Sequence, residues 1–340
     1  MTLPVLICDD SKFARKLIAS SLPDDWEIDI SFAANGVEAI EAIKAGKGDV
    51  LFLDLNMPQM DGYETMAYIK KHDLPSMVIV VSGDVQEEAR KRIKKLGALD
   101  FIRKPIDNDK LSEILSKYGI FSGNTNCSER TKLEDNQYGD SLDEKLDAFR
   151  ELSNVAMGQA GERLAKVLDK FVELPIPNVS LIQANELAMA LAAIDERQNV
   201  SAISKGFISK HIKGEAFIVF DEANVSTLSK LMGRQVENNE PSYLEVLMDV
   251  SNLIIGACLN GLSSQLDTQI THSSPMLLGM NATIRDIVDK SISRWEQVLV
   301  IEIAYAISQE NIYFELLLVI PSTEVDATFK QILNTKGAAK

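Results

Sequence analysis

The stretch DVLFLDLNMPQMDG, residues 49–62, starts as an apolar run, turns acidic at Asp54 and ends on the turn residues Pro58, Asp61 and Gly62. A continuous apolar run too short for a helix reads as a strand buried on both faces. A carboxylate at its end would then sit on the rim of a sheet. Outward from this stretch the same alternation holds over residues 3–105, with the apolar runs PVLIC and EIDISFA before it and MVIVVSG and DFIRKP after it. Between them lie the amphipathic segments KFARKLIASSL, GVEAIEAIKAG, GYETMAYIKKH and QEEARKRIKKLG. Strands alternating with helices predict a doubly wound parallel α/β sheet covered on both faces. DNDKLSEILSKYG closes the unit near residue 119.

Open α/β sheets bind ligands beyond the carboxyl ends of their strands. The residues expected there are Asp9 and Asp10 after VLIC, Asp54, Ser82 at the end of VIVVS, and Lys104 before Pro105. Three carboxylates on one rim repel each other, which a hard divalent cation such as Mg2+ would relieve. Lys104 and the Ser82 hydroxyl would neutralise and hydrogen-bond the oxygens of a transferred phosphoryl group. On these residues, the region 1–120 resembles the receiver domain of two-component response regulators, a flavodoxin-like α/β fold. The resemblance implies that Asp54 is the phosphoacceptor, with a sensor histidine kinase as phosphoryl source. It implies Mg2+ held by Asp10, Asp54 and the Asn56 carbonyl, with Asp9 supporting the metal site. Ser82 stands where the family senses the phosphoryl group, and Phe101 at its aromatic switch position.

At 340 residues the chain is long enough for two domains. The net charge of −15 and pI near 4.8 argue against a nucleic-acid surface, which is built on Lys and Arg. Cys8, Cys127 and Cys258 are widely spaced and odd in number, so free thiols are expected. The isolated His72, His211 and His272 lack zinc-ligand spacing. Arg90, Lys91, Arg92, Lys94 and Lys95 read as a solvated helix face. The start MTLPVLICDDSK lacks a signal peptide's basic opening, and no run reaches roughly 18 uninterrupted apolar residues. The expectation is a cytoplasmic protein without a membrane span.

Residues 121–142 are polar and aperiodic, a flexible linker whose roughly 20 residues reach about 25 Å root-mean-square. From residue 143 to 335 one plan occurs twice: a motif helix, a Pro, a short helix, two apolar strands and a closing helix. DAFRELSNVAMGQA (147–160) carries Asp147, Glu151 and Asn154, and Pro177 follows after 22 intervening residues. EVLMDVSNLIIGA returns 98 residues on with Glu245, Asp249, Asn252 and Pro275. This predicts an α+β domain with an internal pseudo-two-fold repeat. At about 100° per residue, Asp147, Glu151 and Asn154 share one narrow stripe, opposite Phe149, Leu152, Ala156 and Val167. The same holds for the second trio against Leu247, Val250, Ile254 and Cys258. Both trios are therefore expected to look outward. Gly158 and Gly256 are expected to serve close helix packing. Residues 143–340 hold 26 acidic and 17 basic side chains, a net of −9, which disfavours DNA contact.

With these paired motifs, residues 143–335 resemble the CheC, CheX and FliY family of chemotaxis phosphatases, and the two-copy plan is nearer CheC than the single-motif CheX. The resemblance implies hydrolysis of a receiver's aspartyl phosphate without a covalent intermediate or a metal of the phosphatase's own. Asn154 would hold the attacking water and Glu151 would reach the receiver's Lys. Asp249 and Asn252 would act likewise at a second site, where Asp249 is one methylene shorter than the usual Glu. The expected function is a response regulator whose output domain dephosphorylates a CheY-type receiver. That receiver is either a separate protein or this chain's own, in cis or across a homodimer, and Asp54 phosphorylation would control the activity. The alternative is a non-catalytic binding module for a receiver or a CheD-like partner.

Overall fold

The computed structural model describes residues 2–23, 25–121, 141–195, 200–210, 212–233, 240–278 and 295–337. It divides into two compact units, Met1–Glu151 with Lys336–Lys340, and Leu152–Thr335.

In the first unit, β1 (Leu3–Cys8), α1 (Lys12–Ser21), β2 (Ile28–Ala33), α2 (Gly36–Lys44), β3 (Val50–Leu53), α3 (Gly62–Lys71), β4 (Met77–Ser82), α4 (Glu87–Leu96), β5 (Asp100–Arg103) and α5 (Asn108–Lys117) alternate along the chain. The sheet order is β2-β1-β3-β4-β5, and each pairing is parallel. Strand alternation divides the core between the two faces of the sheet. Leu6, Cys8, Leu51, Leu53 and Val80 pack with Ala39, Ile43, Met66, Ile69 and Ile93 of α2, α3 and α4. Val5, Ile7, Val50, Phe52 and Val81 pack with Ile18 of α1 and with Leu111, Ile114 and Leu115 of α5. Apolar residues thus face both ways, which explains the unbroken run at residues 50–53. Local chemistry sets the helix starts: Ser11 caps α1 by accepting from the Ala14 N–H, and Asp61 and Glu64 form a capping box on α3. The basic residues of α4 are exposed as expected, with Lys91 paired to Glu87 at 3.0 Å.

The long helix α6 (Leu142–Leu168) begins at a second capping pair. Ser141 Oγ accepts from the Glu144 N–H at 3.4 Å and donates to its carboxylate at 3.2 Å. The division between the units falls within this helix, after Glu151.

The second unit continues with β6 (Asn178–Gln183), α7 (Ala184–Asp195), β7 (Val200–Ile208), β8 (Lys213–Asp221), α8 (Glu222–Leu231), α9 (Glu240–Gln265), β9 (Thr271–His272), β10 (Met276–Leu278), β11 (Gln297–Ile307), β12 (Ile312–Pro321) and α10 (Ser322–Gly337). Its antiparallel sheet runs β10-β7-β8-β12-β11-β6, with β9 paired to β7. This order reads as a palindrome about the β8–β12 seam. Each copy supplies a hairpin, β7-β8 or β11-β12, and lends its first strand, β6 or β10, to the other copy's hairpin. The repeat expected from sequence is therefore present in the topology. The strands β6 and β10 themselves were not expected. Each follows the motif Pro directly, Pro177 before Asn178 and Pro275 before Met276. They lie at the sheet edges and are only partly buried, so their patterns were weak. The short helix expected after Pro275, like Cys127 and His211, lies outside the described residues.

Two smaller expectations are corrected. Val167, assigned to the apolar side of α6, is 44% exposed. A Cβ at Gly256 would meet open space, so close packing does not explain it; the tight approach is at Gly261, where a Cβ would lie 2.8 Å from the Ala156 Cα. The Leu244–Gln265 stretch of α9 is long and apolar enough to cross a membrane, but 61% of its most apolar 18 residues are buried in the fold, as in a core helix. Cys8 and Cys258 are free and buried.

Candidate functional site

Asp9 and Asp10 follow β1, Asp54 follows β3, Ser82 ends β4 and Lys104 follows β5, so four strands deliver the predicted residues to one rim. Lys104 organises them. Its ammonium lies 2.7 Å from Asp9 Oδ2, 3.0 Å from Asp54 Oδ1 and 3.2 Å from Glu151 Oε2, and all four side chains are buried. The Lys104–Pro105 peptide bond is cis. Burial alone would push the Lys104 pKa down, but Asp54, Asp9 and Glu151 outweigh it and hold it well above the ordinary lysine value.

The remaining oxygens of Asp9 and Asp54 are satisfied locally. Asp9 Oδ1 accepts from the Ser11 N–H at 2.9 Å and Asp54 Oδ2 from the Asn56 N–H at 2.7 Å. Burial, against the pull of Lys104, pushes the Asp54 carboxyl up to about 6. Burial, with the charges of Asp9 and Asp54, pushes Asp10 up to about 7, and its buried Oδ1 makes no hydrogen bond. The Ser82 hydroxyl accepts from the Asp84 N–H at 3.1 Å. Half-buried Phe101 lies under the Arg90 guanidinium, 5.0 Å from its ring centroid.

Gly62 holds the loop after β3 against the site: its N–H reaches the Leu55 carbonyl at 3.0 Å, and a Cβ there would collide with the Asp54 carbonyl. Gly62→Ala is therefore expected to lower the unfolding free energy by about 2 kcal/mol, as overpacking against backbone does. Urea titration of the two proteins checks this; equal midpoints would show that the loop yields freely.

The rim fits Mg2+ through some of its oxygens only. Among the described residues no group of three or more His, Cys, Asp or Glu side chains stands ready to hold a metal. Asp9 and one oxygen of Asp54 are taken up by Lys104. What remains suits a cation that keeps several waters: Asp10, with its orphaned buried oxygen, the rest of Asp54, and the Asn56 carbonyl.

The first motif corrects an expectation. Its polar stripe does not look outward. Glu151 and Asn154 are buried, at 4% and 6% exposure, and Asp147 is half-buried. Within the first unit the reason is visible: Asp147 Oδ2 accepts from the Phe13 N–H at 2.7 Å, and Glu151 joins the Lys104 cluster. Polar groups with such partners can leave water at little net cost. The Asn154 Oδ1 is buried and makes no hydrogen bond. The second motif behaves as expected, with Glu245 and Asn252 exposed, Asp249 half-buried, and Leu247, Val250, Ile254 and Cys258 buried.

Sequence reasoning missed Lys205, which donates to Asn252 Oδ1 at 2.9 Å. Its signal was a lone cation in the apolar strand SAISKGFIS, at a position where the repeat 98 residues on has Ile303.

These features define a doubly wound domain with an acid pocket and a buried lysine at its carboxyl edge. Residues 5–116 match the family model described as "Response regulator receiver domain". The chain is 39% identical over 116 residues to the chemotaxis protein CheY of Listeria monocytogenes, covering 34% of this chain and 97% of that protein. It is 42% identical over 105 residues to a protein-glutamate methylesterase/protein-glutamine glutaminase of Pyrococcus abyssi, but covers only 28% of that protein and uses 30% of this chain. Among solved structures, Thermotoga maritima FliY aligns with 58% of this chain and all of its own, at 19% identity and a TM-score of 0.44. The chain belongs to the response regulator family, with a CheY-like receiver domain at residues 5–116.

Proposed function

We propose that this chain is a cytoplasmic response regulator, with a receiver at 1–120, a linker at 121–142 and a CheC-like output domain at 143–335 that hydrolyses receiver aspartyl phosphate. A sensor histidine kinase supplies the phosphoryl group to Asp54. Asn154 then serves hydrolysis, with the chain's own receiver as the first substrate and separate CheY-type receivers as further ones. The observation that carries this reading is the Lys104–Glu151 ion pair at 3.2 Å inside the acid pocket. It joins the pocket lysine to the acid of the first motif, one helical turn before Asn154.

In the reaction a water oxygen bonds to phosphorus as the bond from phosphorus to the Asp54 oxygen breaks. Asp54 leaves as a carboxylate, and inorganic phosphate carries away the water's oxygen with its two protons, one of which it then yields to solvent near neutral pH. The water must keep a lone pair aimed at phosphorus while an acceptor takes one of its O–H groups. The Asn154 Oδ1, without a partner, is such an acceptor, and a neutral amide is not repelled by the anionic pocket. Lys104 balances charge on the phosphoryl oxygens and on the departing carboxylate, and Glu151 holds Lys104 in place. Mg2+, held by Asp10, Asp54 and the Asn56 carbonyl, would supply electrostatic stabilisation of those oxygens when bound.

Mg2+ affinity is expected to fall at least about 10-fold between pH 7.5 and 5.5, because Asp10, pushed up to about 7, and Asp54, pushed up to about 6, must shed protons to bind it. Calorimetric titration at the two pH values checks this, and equal affinities would remove these carboxylates from the ligand set.

The phosphatase reading is tested on a separate phosphorylated CheY-type receiver, incubated with the Asp54→Ala chain and its Asp54→Ala/Glu151→Ala variant. Faster decay with the first than with the second supports it. If the receiver binds and its label persists, and label on the chain's own Asp54 decays equally in wild type and Asn154→Ala, the chain is a binding module for receivers or for a CheD-like partner.

A further inference from the structure

The two motif amides differ in what their oxygens meet. Asn154 Oδ1 makes no hydrogen bond, whereas Asn252 Oδ1 accepts from the Lys205 ammonium at 2.9 Å. Lys205 rises from the middle of β7, and only 3% of its surface is exposed. A lysine ammonium has donors only, so this contact fixes the orientation of the amide: its oxygen faces Lys205, and its NH2 group is left for whatever approaches the exposed Asn252.

We propose that Lys205 silences hydrolysis at the second motif by occupying the acceptor oxygen of Asn252, which confines hydrolysis to Asn154. This deepens the phosphatase reading and rests on it. An N–H that donates to a water draws electron density from its oxygen and weakens it as a nucleophile, whereas a carbonyl oxygen that accepts the water's O–H strengthens it and leaves its lone pairs for phosphorus. An amide oxygen polarised by an ammonium is a weaker acceptor for the water's O–H, even though it has a second lone pair. Turning the amide over would point its NH2 group at Lys205 and strip a buried cation of a partner, an arrangement that proteins avoid. The shortened Asp249 is then consistent with a motif that no longer needs a full reach. The repeat places Ile303, buried and apolar, at the position matching Lys205, so the cation belongs to one copy alone.

The test uses the full chain with Asp54→Ala and a separate phosphorylated CheY-type receiver as substrate. Label decay is followed with the otherwise unmodified Asp54→Ala chain and with Asn154→Ala, Asn154→Ala/Lys205→Met, and Asn154→Ala/Lys205→Met/Asn252→Ala added to it. Asn154→Ala is expected to leave little acceleration. Adding Lys205→Met, which keeps length without charge, is expected to raise the rate at least about 10-fold, and adding Asn252→Ala to remove that gain. Lys205→Arg, which keeps a cation, is expected to leave the site silent. Circular dichroism verifies folding, with Lys205→Leu as a second apolar variant if Met is not tolerated. If Lys205→Met gives no gain, or lowers an activity that Asn154→Ala had retained, the proposal is overturned while the phosphatase reading stands. If the chain without these further substitutions accelerates nothing, hydrolysis of separate receivers fails and this proposal fails with it, while the cis reaction at Asp54 is judged by its own label decay.

Discussion

Asn154→Ala is expected to slow the loss of phosphoryl label from Asp54 of the same chain by about 100-fold, which corresponds to about 2.7 kcal/mol of lost transition-state stabilisation. The size follows from the amide's task. On the function proposed above it would not bond to phosphorus but fix one water in line with the leaving carboxylate, and misplacing such a reactant costs on that scale. Glu151→Gln is expected to cost less, because Lys104 keeps Asp9 at 2.7 Å and Asp54 at 3.0 Å when its third partner loses charge. The chain is labelled with a small-molecule phosphodonor, freed of donor, and followed over time at two protein concentrations. A concentration-independent rate places the reaction within one chain; a rate that rises with concentration places it across two. Adding unlabelled Asp54→Ala chain, with Asn154 intact, to labelled Asn154→Ala chain gives a second reading, because restored decay requires action in trans. Equal decay in wild type and Asn154→Ala at both concentrations would remove Asn154 from the chemistry.

Much of this site is legible in the amino-acid sequence because strand ends and helix faces are periodic. The run at residues 50–53 had to be a strand, and the position after it had to hold Asp54 at the rim; the same reasoning placed Asp9, Ser82 and Lys104. The duplicated spacing from Asn154 to Pro177 and from Asn252 to Pro275 announced the repeat. Burial of the first polar stripe was not legible. A helical wheel sets a polar stripe opposite an apolar one but cannot know that Asp147 has the Phe13 N–H and Glu151 has Lys104 as partners, and both contacts join residues far apart in sequence. Lys205 was hidden for the same reason. Its strand was correctly read, but a lysine inside an apolar strand gains its meaning only from Asn252 on a helix 47 residues away. Edge strands such as β10, three residues long, leave too short a pattern to separate from a loop.

Lys104→Met is expected to destabilise the first unit by about 3–5 kcal/mol at pH 7.5, the cost of leaving buried carboxylates without their cation. The ammonium lies 2.7, 3.0 and 3.2 Å from carboxylate oxygens of Asp9, Asp54 and Glu151, and methionine fills its volume without replacing its charge. The sign of the pH dependence follows from the carboxyls. Asp10 and Asp54 already have folded-state values raised to about 7 and about 6, and Lys104 lowers both, so removing it raises them further. Groups with raised folded values bind more protons in the folded than in the unfolded state. The variant's stability should therefore fall as pH rises from about 4 through 7, with the deficit against wild type smallest near pH 5 and largest above 7. Urea unfolding of Trp295→Phe chains, in which Trp26 of the first unit is the remaining indole, measures this at both ends of the range. A deficit that stays constant with pH would mean that Lys104 contributes through packing, and that the charges around Asp54 are balanced by something other than its ammonium.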